Sequence, residues 1–326
     1  MKYLQLILIF LLAVISAHAQ SEKNSEISFA TFNLDNFYDI NDDPYDTDND
    51  YTSKGRFFWG EDRYKRKKEA LTEVIKSISP GTFPEILILT GFENNRVIDD
   101  LLSDRSYRKS AYKSYFAPGE FKAVILSAEN IVKDVRFKNL ELNNEPEFEQ
   151  YIQYAELEFS NEDIIHVFIN NWSERNAGAD SERERIRCAV ALRKEIDNIL
   201  NFERDAGIIV SGTFFDEPTS KSVMSVLNAT NKRKNLDYRD LYNPFYDIHN
   251  NNDLGTYEIN GKLHMFDFTI VSAGLLRKRE GYQAGFNQAS IVTGDNSTPA
   301  PTFRGEEYVG GAGRHFPVLI NLTKND

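Results

Sequence analysis

Short apolar runs rich in β-branched and aromatic residues recur along the whole chain, and eight of them predict β-strands. The predicted strands cover residues 27–33, 85–90, 122–127, 151–159, 164–170, 207–212, 267–272 and 316–322. The runs are spread from the start of the chain to its end without a long linker. A single domain in which strands and helices alternate is therefore the simplest prediction.

Two segments between these strands repeat apolar residues at helical spacing. The first begins near Glu61, and the second begins at Ser181. Ser181 and Glu184 have the spacing of a capping box, which predicts that the second helix starts at Ser181. The residues expected on the two buried faces are Leu71, Val74, Ile75 and Ile78 in the first helix, and Ile186, Ala189, Val190, Ile196, Ile199 and Leu200 in the second.

The amino terminus has the pattern of a secretory signal. Lys2 provides a positive start, residues 4–15 are apolar apart from Gln5, and Ala17-His18-Ala19 has the small-x-small pattern of a cleavage site. The apolar run is shorter than the roughly 20 residues that a membrane-spanning helix needs. We therefore expect a signal peptide at residues 1–19, no membrane span, and a secreted or periplasmic protein.

Charge and cysteine content narrow the function classes. Lysine and arginine number 38 against 50 aspartates and glutamates, so the formal net charge is −12. An acidic chain gains little from counterion release, which disfavours non-specific nucleic-acid binding. The basic runs at residues 65–68 and 232–234 are expected to be solvated faces. Cys188 is the single cysteine, which excludes an intrachain disulfide, and its apolar neighbours predict a packed thiol.

Seven segments, in their order along the chain, resemble the secreted bacterial branch of the endonuclease/exonuclease/phosphatase family. They are FATFNLDNFYD, WGEDRYKRKKEALTEVI, ENNRVIDDL, HVFINNWSER, IVSGTFFDEPTS, MFDFTIVS and GGAGRHFPVLINL. The resemblance implies one domain over residues 27–324, built as a four-layer α/β sandwich of two mixed β-sheets flanked by helices. It also implies an active site on the loops that follow the strands at one end of the sandwich.

Members of this family cleave phosphate esters with Mg²⁺, so the resemblance implies three requirements. A carboxylate must hold the metal, a base must act on water, and hydrogen-bonding or cationic groups must stabilise the phosphate oxygens. Three of the family's positions are retained here, namely Asn33, Asp267 and His315.

Five other family positions are substituted. Gly91 stands where the resemblance places the metal-binding glutamate, and Asn171 replaces a phosphate-facing histidine. Thr213 replaces the aspartate that acts on the nucleophile, and Phe215 replaces the asparagine that orients the substrate. Arg314 replaces the acid that precedes the retained histidine. These changes remove the metal ligand and the base together, which predicts a degenerate active site.

The leading hypothesis is a non-catalytic, exported homologue that binds a ligand or a partner. If the fold brings Asn171, Thr213, Arg314 and His315 together, they could hold a phosphate or nucleotide-like anion without a metal. Arg314 would then supply the positive charge that the family takes from Mg²⁺. A partner-binding surface protein, whose cleft plays no role, is a further alternative.

The enzymatic alternative is an active endonuclease or phosphatase with relocated metal ligands. Glu93 with Asp267 is the candidate pair for Mg²⁺ or Mn²⁺, although Glu93 would lie about 6.6 Å along the strand from the family's position. The acidic segment at residues 42–50 is another source of ligands, but it lacks the glycine and the closing glutamate of a calcium loop. His166, His249 and His264 are scattered and show no metal-ligand spacing.

Overall fold

The computed structural model describes residues 26–42, 49–79, 81–138, 151–175, 179–252 and 254–325. The predicted signal peptide and most of the acidic segment, including Asp46 and Asp48, lie outside the described residues. Within the described part of the chain, no helix is both long enough and apolar enough to span a membrane.

The first of two large sheets has six strands. Their order is β14 (Gly281–Ile291), β17 (Val318–Asn325), β1 (Glu26–Phe37), β2 (Ile86–Phe92), β4 (Ala123–Ser127) and β3 (Lys113–Phe116). Strands β1 and β2 are parallel, and the other neighbours are antiparallel. The sheet is therefore mixed, and its central strand β1 begins the domain.

The second large sheet has seven strands. Their order is β5 (Val132–Lys138), β6 (Ile152–Phe159), β7 (Ile164–Asn171), β8 (Gly207–Thr213), β13 (Asp267–Ser272), β10 (Leu241–Tyr242) and β9 (Ala229–Thr230). Strands β7 and β8 are parallel, and β8 pairs antiparallel with β13. Two small hairpins complete the strands: β11 (Tyr257–Ile259) with β12 (Lys262–His264), and β15 (Phe303–Arg304) with β16 (Glu307–Tyr308).

Five α-helices are described: α1 (Glu61–Ile78), α2 (Asn95–Leu102), α3 (Ala179–Phe202), α4 (Phe245–Asn252) and α5 (Ala273–Arg277). Short 3₁₀ turns lie at Asn49–Tyr51 and Arg105–Lys109, and a π turn lies at Ser222–Val226. The capping-box prediction is wrong, because α3 already includes Ala179 and Ser181 is a buried residue inside it. Asp180 and Glu182 instead complement the positive end of the helix dipole.

Two apolar cores hold the layers together. Ile27 and Phe29 of β1 face the space between the two sheets, whereas Phe32 and Leu34 pack in a second core with α1 and α2. The apolar face of α3 belongs to the same core cluster as the second sheet, through Cys188 and other residues, so the predicted packed thiol is confirmed. Val190 was predicted on that face but is more than half exposed. The four-layer α/β sandwich is confirmed.

Candidate functional site

The ends of four strands bring several predicted site residues to one end of the sandwich. Asn33 lies near the end of β1, while Asn171 and Thr213 are the last residues of β7 and β8 and are partners in the sheet. Asp267 is the first residue of β13 and pairs with Thr213. Because β13 runs antiparallel to β8, its first residue meets the last residue of β8.

Hydrogen bonds link these residues and His315 into one network. Asn33 Nδ2 donates to Thr213 Oγ1 at 3.0 Å and to Asn171 Oδ1 at 3.4 Å. Thr213 Oγ1 donates to Asp267 Oδ1 at 2.6 Å, and His315 Nδ1 lies 2.9 Å from Asp267 Oδ2. We call these five residues the strand-end network. The structure therefore joins all three retained positions to two of the substituted ones.

The strand-end network is closed to water on most sides. Thr213, Asp267 and His315 are each at most 4% exposed, and Asn33 is also buried. The Phe215 ring lies 6.2 Å from the His315 ring, and the Tyr257 ring lies 4.6 Å from it, measured between centroids. Phe215 thus covers the histidine with an apolar ring where the family has an amide that orients substrate.

Gly91 cannot carry the side chain that the family's metal site needs. Its φ is +70°, a conformation that favours glycine, and a Cβ at this position would lie 2.1 Å from Asn33 Oδ1. That oxygen is held in place because it accepts a hydrogen bond from the Asp35 backbone nitrogen at 3.0 Å. The Asn33 amide therefore fills the space in which a carboxylate side chain would begin.

The proposed substitute ligand, Glu93, has another partner. Glu93 Oε2 accepts a hydrogen bond from the Asp39 backbone nitrogen at 2.6 Å, and its own backbone nitrogen donates to Phe37 O. Asp267 is committed to the strand-end network. Among the described residues, no group of three histidine, cysteine, aspartate or glutamate side chains is placed to hold a metal ion. These residues do not fit the Mg²⁺ that the family implies.

Arg314 is bound to Asp35, an acid that is not among the predicted site residues. Arg314 Nη2 and Nε donate to Asp35 Oδ1 at 2.7 Å and 3.0 Å, and its backbone nitrogen donates to Asp35 Oδ2 at 2.9 Å. Burial opposes ionisation of Asp35, but the charge and hydrogen bonds of Arg314 outweigh it and hold the pKa of that carboxyl well below its usual range. The Arg314 side chain is directed to Asp35, whereas Asn171, Thr213 and His315 lie in the strand-end network.

Lys67 joins the same pair from helix α1. It was expected on a solvated face, but it is only 1% exposed, so that expectation is wrong. Lys67 Nζ donates to the backbone oxygens of Asp35 at 2.5 Å and Asn36 at 3.3 Å, which keeps the buried ammonium hydrogen-bonded. Burial lowers the pKa of Lys67 to about 8, and the charge of Asp35 opposes that fall.

A cavity of about 300 Å³ opens beside this pair, and we call it the Arg314 cavity. Its polar wall includes Asn36, Lys67 and Arg314, and its apolar wall is made by Tyr51, Phe57 and Phe303. None of the five residues of the strand-end network lines this cavity, and no hydrogen bond of that network includes an atom of Arg314.

Two histidines that are far apart in the sequence meet at one glutamate. His249 Nε2 lies 3.0 Å and His264 Nδ1 lies 2.7 Å from the two carboxylate oxygens of Glu217. The hydrogen bond to His249 is the main reason that the pKa of Glu217 falls to about 2, although burial opposes the shift. The linear spacing of these histidines gave no sign of this cluster.

Comparison with known proteins identifies the fold. A family model described as "Endonuclease/Exonuclease/phosphatase family" matches residues 28–324. No curated protein matches the chain significantly. A truncated TDP2 of Caenorhabditis elegans is 13% identical, with a TM-score of 0.54 over 91% of this chain and 98% of that chain. A family protein of Bacteroides thetaiotaomicron is 12% identical, with a TM-score of 0.55 over 93% and 99%. The human Nocturnin catalytic domain with bound sulfate is 13% identical, with a TM-score of 0.52 over 92% and 95%.

Proposed function

Because the chain belongs to the endonuclease/exonuclease/phosphatase family, we propose that it is an exported, non-catalytic member that binds an anionic ligand instead of cleaving a phosphate ester. The observation that carries this proposal is the close approach at Gly91. An added Cβ there would lie 2.1 Å from Asn33 Oδ1, so the position has no room for the family's metal-binding carboxylate.

The remaining network lacks the aspartate that, as the resemblance implies, acts on the nucleophile in the family, because Thr213 stands in its place. A threonine hydroxyl is not a base near neutral pH, and Thr213 Oγ1 donates a hydrogen bond to Asp267 Oδ1. His315 has one ring nitrogen against Asp267 and lies beneath the rings of Phe215 and Tyr257. Loss of one acid–base group typically costs about 10²–10⁴ in rate. Here the base and the metal ligand are both replaced, so the family's reaction has no evident route.

Binding of an anion is supported by the charges next to the network. Lys67 and Arg314 are two cations, and Asp35 is the one carboxylate that lies between them and lines the same cavity. Among the residues that line the cavity, two positive charges therefore stand against one negative charge, and a second carboxylate, Glu174, lies outside this lining with its Oε1 3.7 Å from Arg314 Nη2. The charge balance of the lining differs from the notable acidity of the chain as a whole, whose formal charge is −12.

The catalytic test uses the mature chain with bis(4-nitrophenyl) phosphate and with plasmid DNA, in Mg²⁺, in Mn²⁺ and in EDTA. A His315→Ala variant is the control, because His315 is the retained family residue closest to an acid–base role. We expect no metal-dependent turnover above that of the variant. Metal-dependent turnover that the variant lacks would establish a rebuilt active site and would overturn the proposal.

Export is tested separately from catalysis. The full chain is expressed in a bacterial host with its own first residues, and the amino terminus of the exported protein is sequenced. We expect the mature protein to begin at Gln20, directly after the Ala17-His18-Ala19 pattern. Recovery of an uncleaved chain from the cytoplasm would contradict export and leave the binding proposal intact.

A further inference from the structure

We propose that the Arg314 cavity binds a small planar anion, in which an aromatic ring carries a carboxylate or phosphate group. This inference rests on the proposed function, since it takes the cleft to be a binding site, and it adds the chemical class of the ligand.

The anionic group is recognised by the polar wall. Three nitrogens of Arg314, the backbone nitrogen, Nε and Nη2, donate four hydrogen bonds to Asp35, and Nη2 also lies 3.7 Å from Glu174 Oε1. No described residue accepts a hydrogen bond from Nη1. The Arg314 side chain is 34% exposed and lines the cavity. A planar guanidinium favours carboxylate and phosphate oxygens. An anion placed there would also lie next to the buried ammonium of Lys67.

The ring is recognised by the apolar wall. Phe57 and Phe303 have ring centroids 4.7 Å apart, and Phe57 and Tyr51 have centroids 4.8 Å apart. Behind them, Tyr38 stacks on Tyr51 at 4.3 Å with an interplanar angle of 14°. Asn36 Nδ2 donates to the Tyr51 hydroxyl at 3.3 Å. The wall is therefore supported from behind, and aromatic faces at these separations favour a further ring.

The size of the cavity limits the ligand. Its volume of about 300 Å³ is at the lower end of the range for small-molecule sites. That space accommodates one ring with one charged group. A long polyanion would in addition meet the acidic surface of a chain with formal charge −12. The observations therefore favour a small molecule over a nucleic acid.

The binding test measures four probes by calorimetry on the mature chain: phenyl phosphate, benzoate, inorganic phosphate and phenol. We expect phenyl phosphate or benzoate to bind at least about tenfold more tightly than either inorganic phosphate, which has no ring, or phenol, which has no anionic group. Phenyl phosphate and benzoate distinguish the two kinds of anionic group. Equal affinity for inorganic phosphate and phenyl phosphate would overturn the role of the rings, and no binding by any probe at millimolar concentration would overturn the inference.

Substitutions locate the binding site. Phe303→Ala and Phe57→Ala should each weaken the tighter aromatic probe about tenfold. Phe202→Ala is the matched control, because Phe202 is 97% exposed at the end of α3 and should leave affinity unchanged. Two separate wall variants keep the test decisive if one of them does not fold. Unchanged affinity in a folded wall variant would contradict the assignment of the site.

A pH series adds a second readout. Because burial lowers the pKa of Lys67 to about 8, a bound anion should favour its protonated form, and affinity should fall as the pH rises through about 8. Asp35 and Arg314 face Lys67 and keep their charges over this range, and burial raises the pKa of Tyr51 to about 12.

Release of phosphate from phenyl phosphate in the same samples separates the two proposals. Hydrolysis with binding would overturn the non-catalytic function and keep the aromatic-anion site. If phenyl phosphate is neither bound nor hydrolysed, this inference is overturned, whereas the non-catalytic function is not.

Discussion

Arg314 binds Asp35 through three atoms of its own, Nε, Nη2 and the backbone nitrogen, across a separation of 279 residues. The contact ties the loop before β17 to the end of β1. In the family's arrangement, as the sequence resemblance implies, an acid precedes the histidine at this end of the sandwich. Here a cation at the same position forms a structural ion pair with a carboxylate on the neighbouring strand end.

Replacement of Arg314 by alanine is expected to destabilise the fold. The Asp35 carboxylate is only 8% exposed and would lose its hydrogen bonds to the guanidinium, so the free energy of unfolding should fall by about 2 kcal/mol. The measurement is urea unfolding followed by far-UV circular dichroism. Arg56→Ala is the matched control, because Arg56 pairs with Glu306 on the surface, where both side chains are more than half exposed. Its loss should cost about 0–1 kcal/mol, and equal losses in both variants would contradict a structural role for Arg314.

A methyl group at position 91 is expected to disrupt the strand-end network. Gly91→Ala should lower the free energy of unfolding by more than Gly81→Ala, although both glycines have positive φ, +70° and +83°. At Gly81 an added Cβ meets nothing within 4 Å, so that variant reports only the conformational cost of about 1–2 kcal/mol. The difference between the two losses measures the clash with Asn33.

A double-mutant cycle identifies the partner in that clash. Because the nearest atom to the added Cβ is Asn33 Oδ1, Gly91→Ala should cost less in an Asn33→Ala background than in the native protein. Additive losses would show that Asn33 does not exclude a side chain at position 91, and the central observation behind the proposed function would lose its support.

Restoration of the family's aspartate at position 213 is expected to harm the protein. Thr213 Oγ1 lies 2.6 Å from Asp267 Oδ1, so Thr213→Asp would place two buried carboxylates side by side and raise the pKa of one of them. A carboxyl whose folded pKa is raised loses stability as the pH climbs above its unfolded value of about 4. The stability deficit of this variant should therefore grow from about pH 4 to about pH 8.

Thr213→Ser is the control for that series, because serine keeps a hydroxyl that can donate to Asp267. It should follow the native pH profile with a small uniform loss. The comparison is made by thermal unfolding across the pH range. A Thr213→Asp protein that is as stable at pH 8 as at pH 4 would contradict the like-charge argument.

The cluster of His249 and His264 on Glu217 predicts a second pH dependence. The pKa of Glu217 is lowered from 4.5 to about 2, so its contribution to stability is fully present above about pH 4.5 and is lost as the pH falls through about 2. Glu217→Gln should therefore be less stable than the native protein at neutral pH, by about 1–3 kcal/mol, and the two should converge near pH 2.

Glu69→Gln serves as the control for the Glu217 series, because Glu69 is an exposed residue of α1. Denaturant unfolding of both variants and the native protein is compared across the acid range. A Glu217→Gln curve that runs parallel to the native curve at every pH would show that the histidine contacts do not stabilise the charged carboxylate.

The long apolar runs determined most of the architecture. All eight predicted strands exist in the structure, with ends that differ by at most four residues, and the two periodic helices correspond to α1 and α3. These elements can be predicted from the sequence because each buries its apolar residues in a core. The apolar repeat then continues along the whole helix or strand. The elements that were not predicted include β5, in which only Val132 is buried, and two-residue strands such as β15 and β16, which are too short to show a period.

The sequence motifs indicated the family and showed which of its positions are substituted. The family model over residues 28–324 confirms the membership. What the substitutions do was decided by tertiary contacts. Asp35 pairs with a residue 279 positions away, and Lys67 is buried within a run of basic residues that otherwise looks solvated. Whether a charge is buried and which partner it meets depends on how distant segments pack. A sequence pattern relates only residues that are close together in the chain. The ion pair, the closed space at Gly91 and the Arg314 cavity join distant segments, so only the tertiary structure shows them.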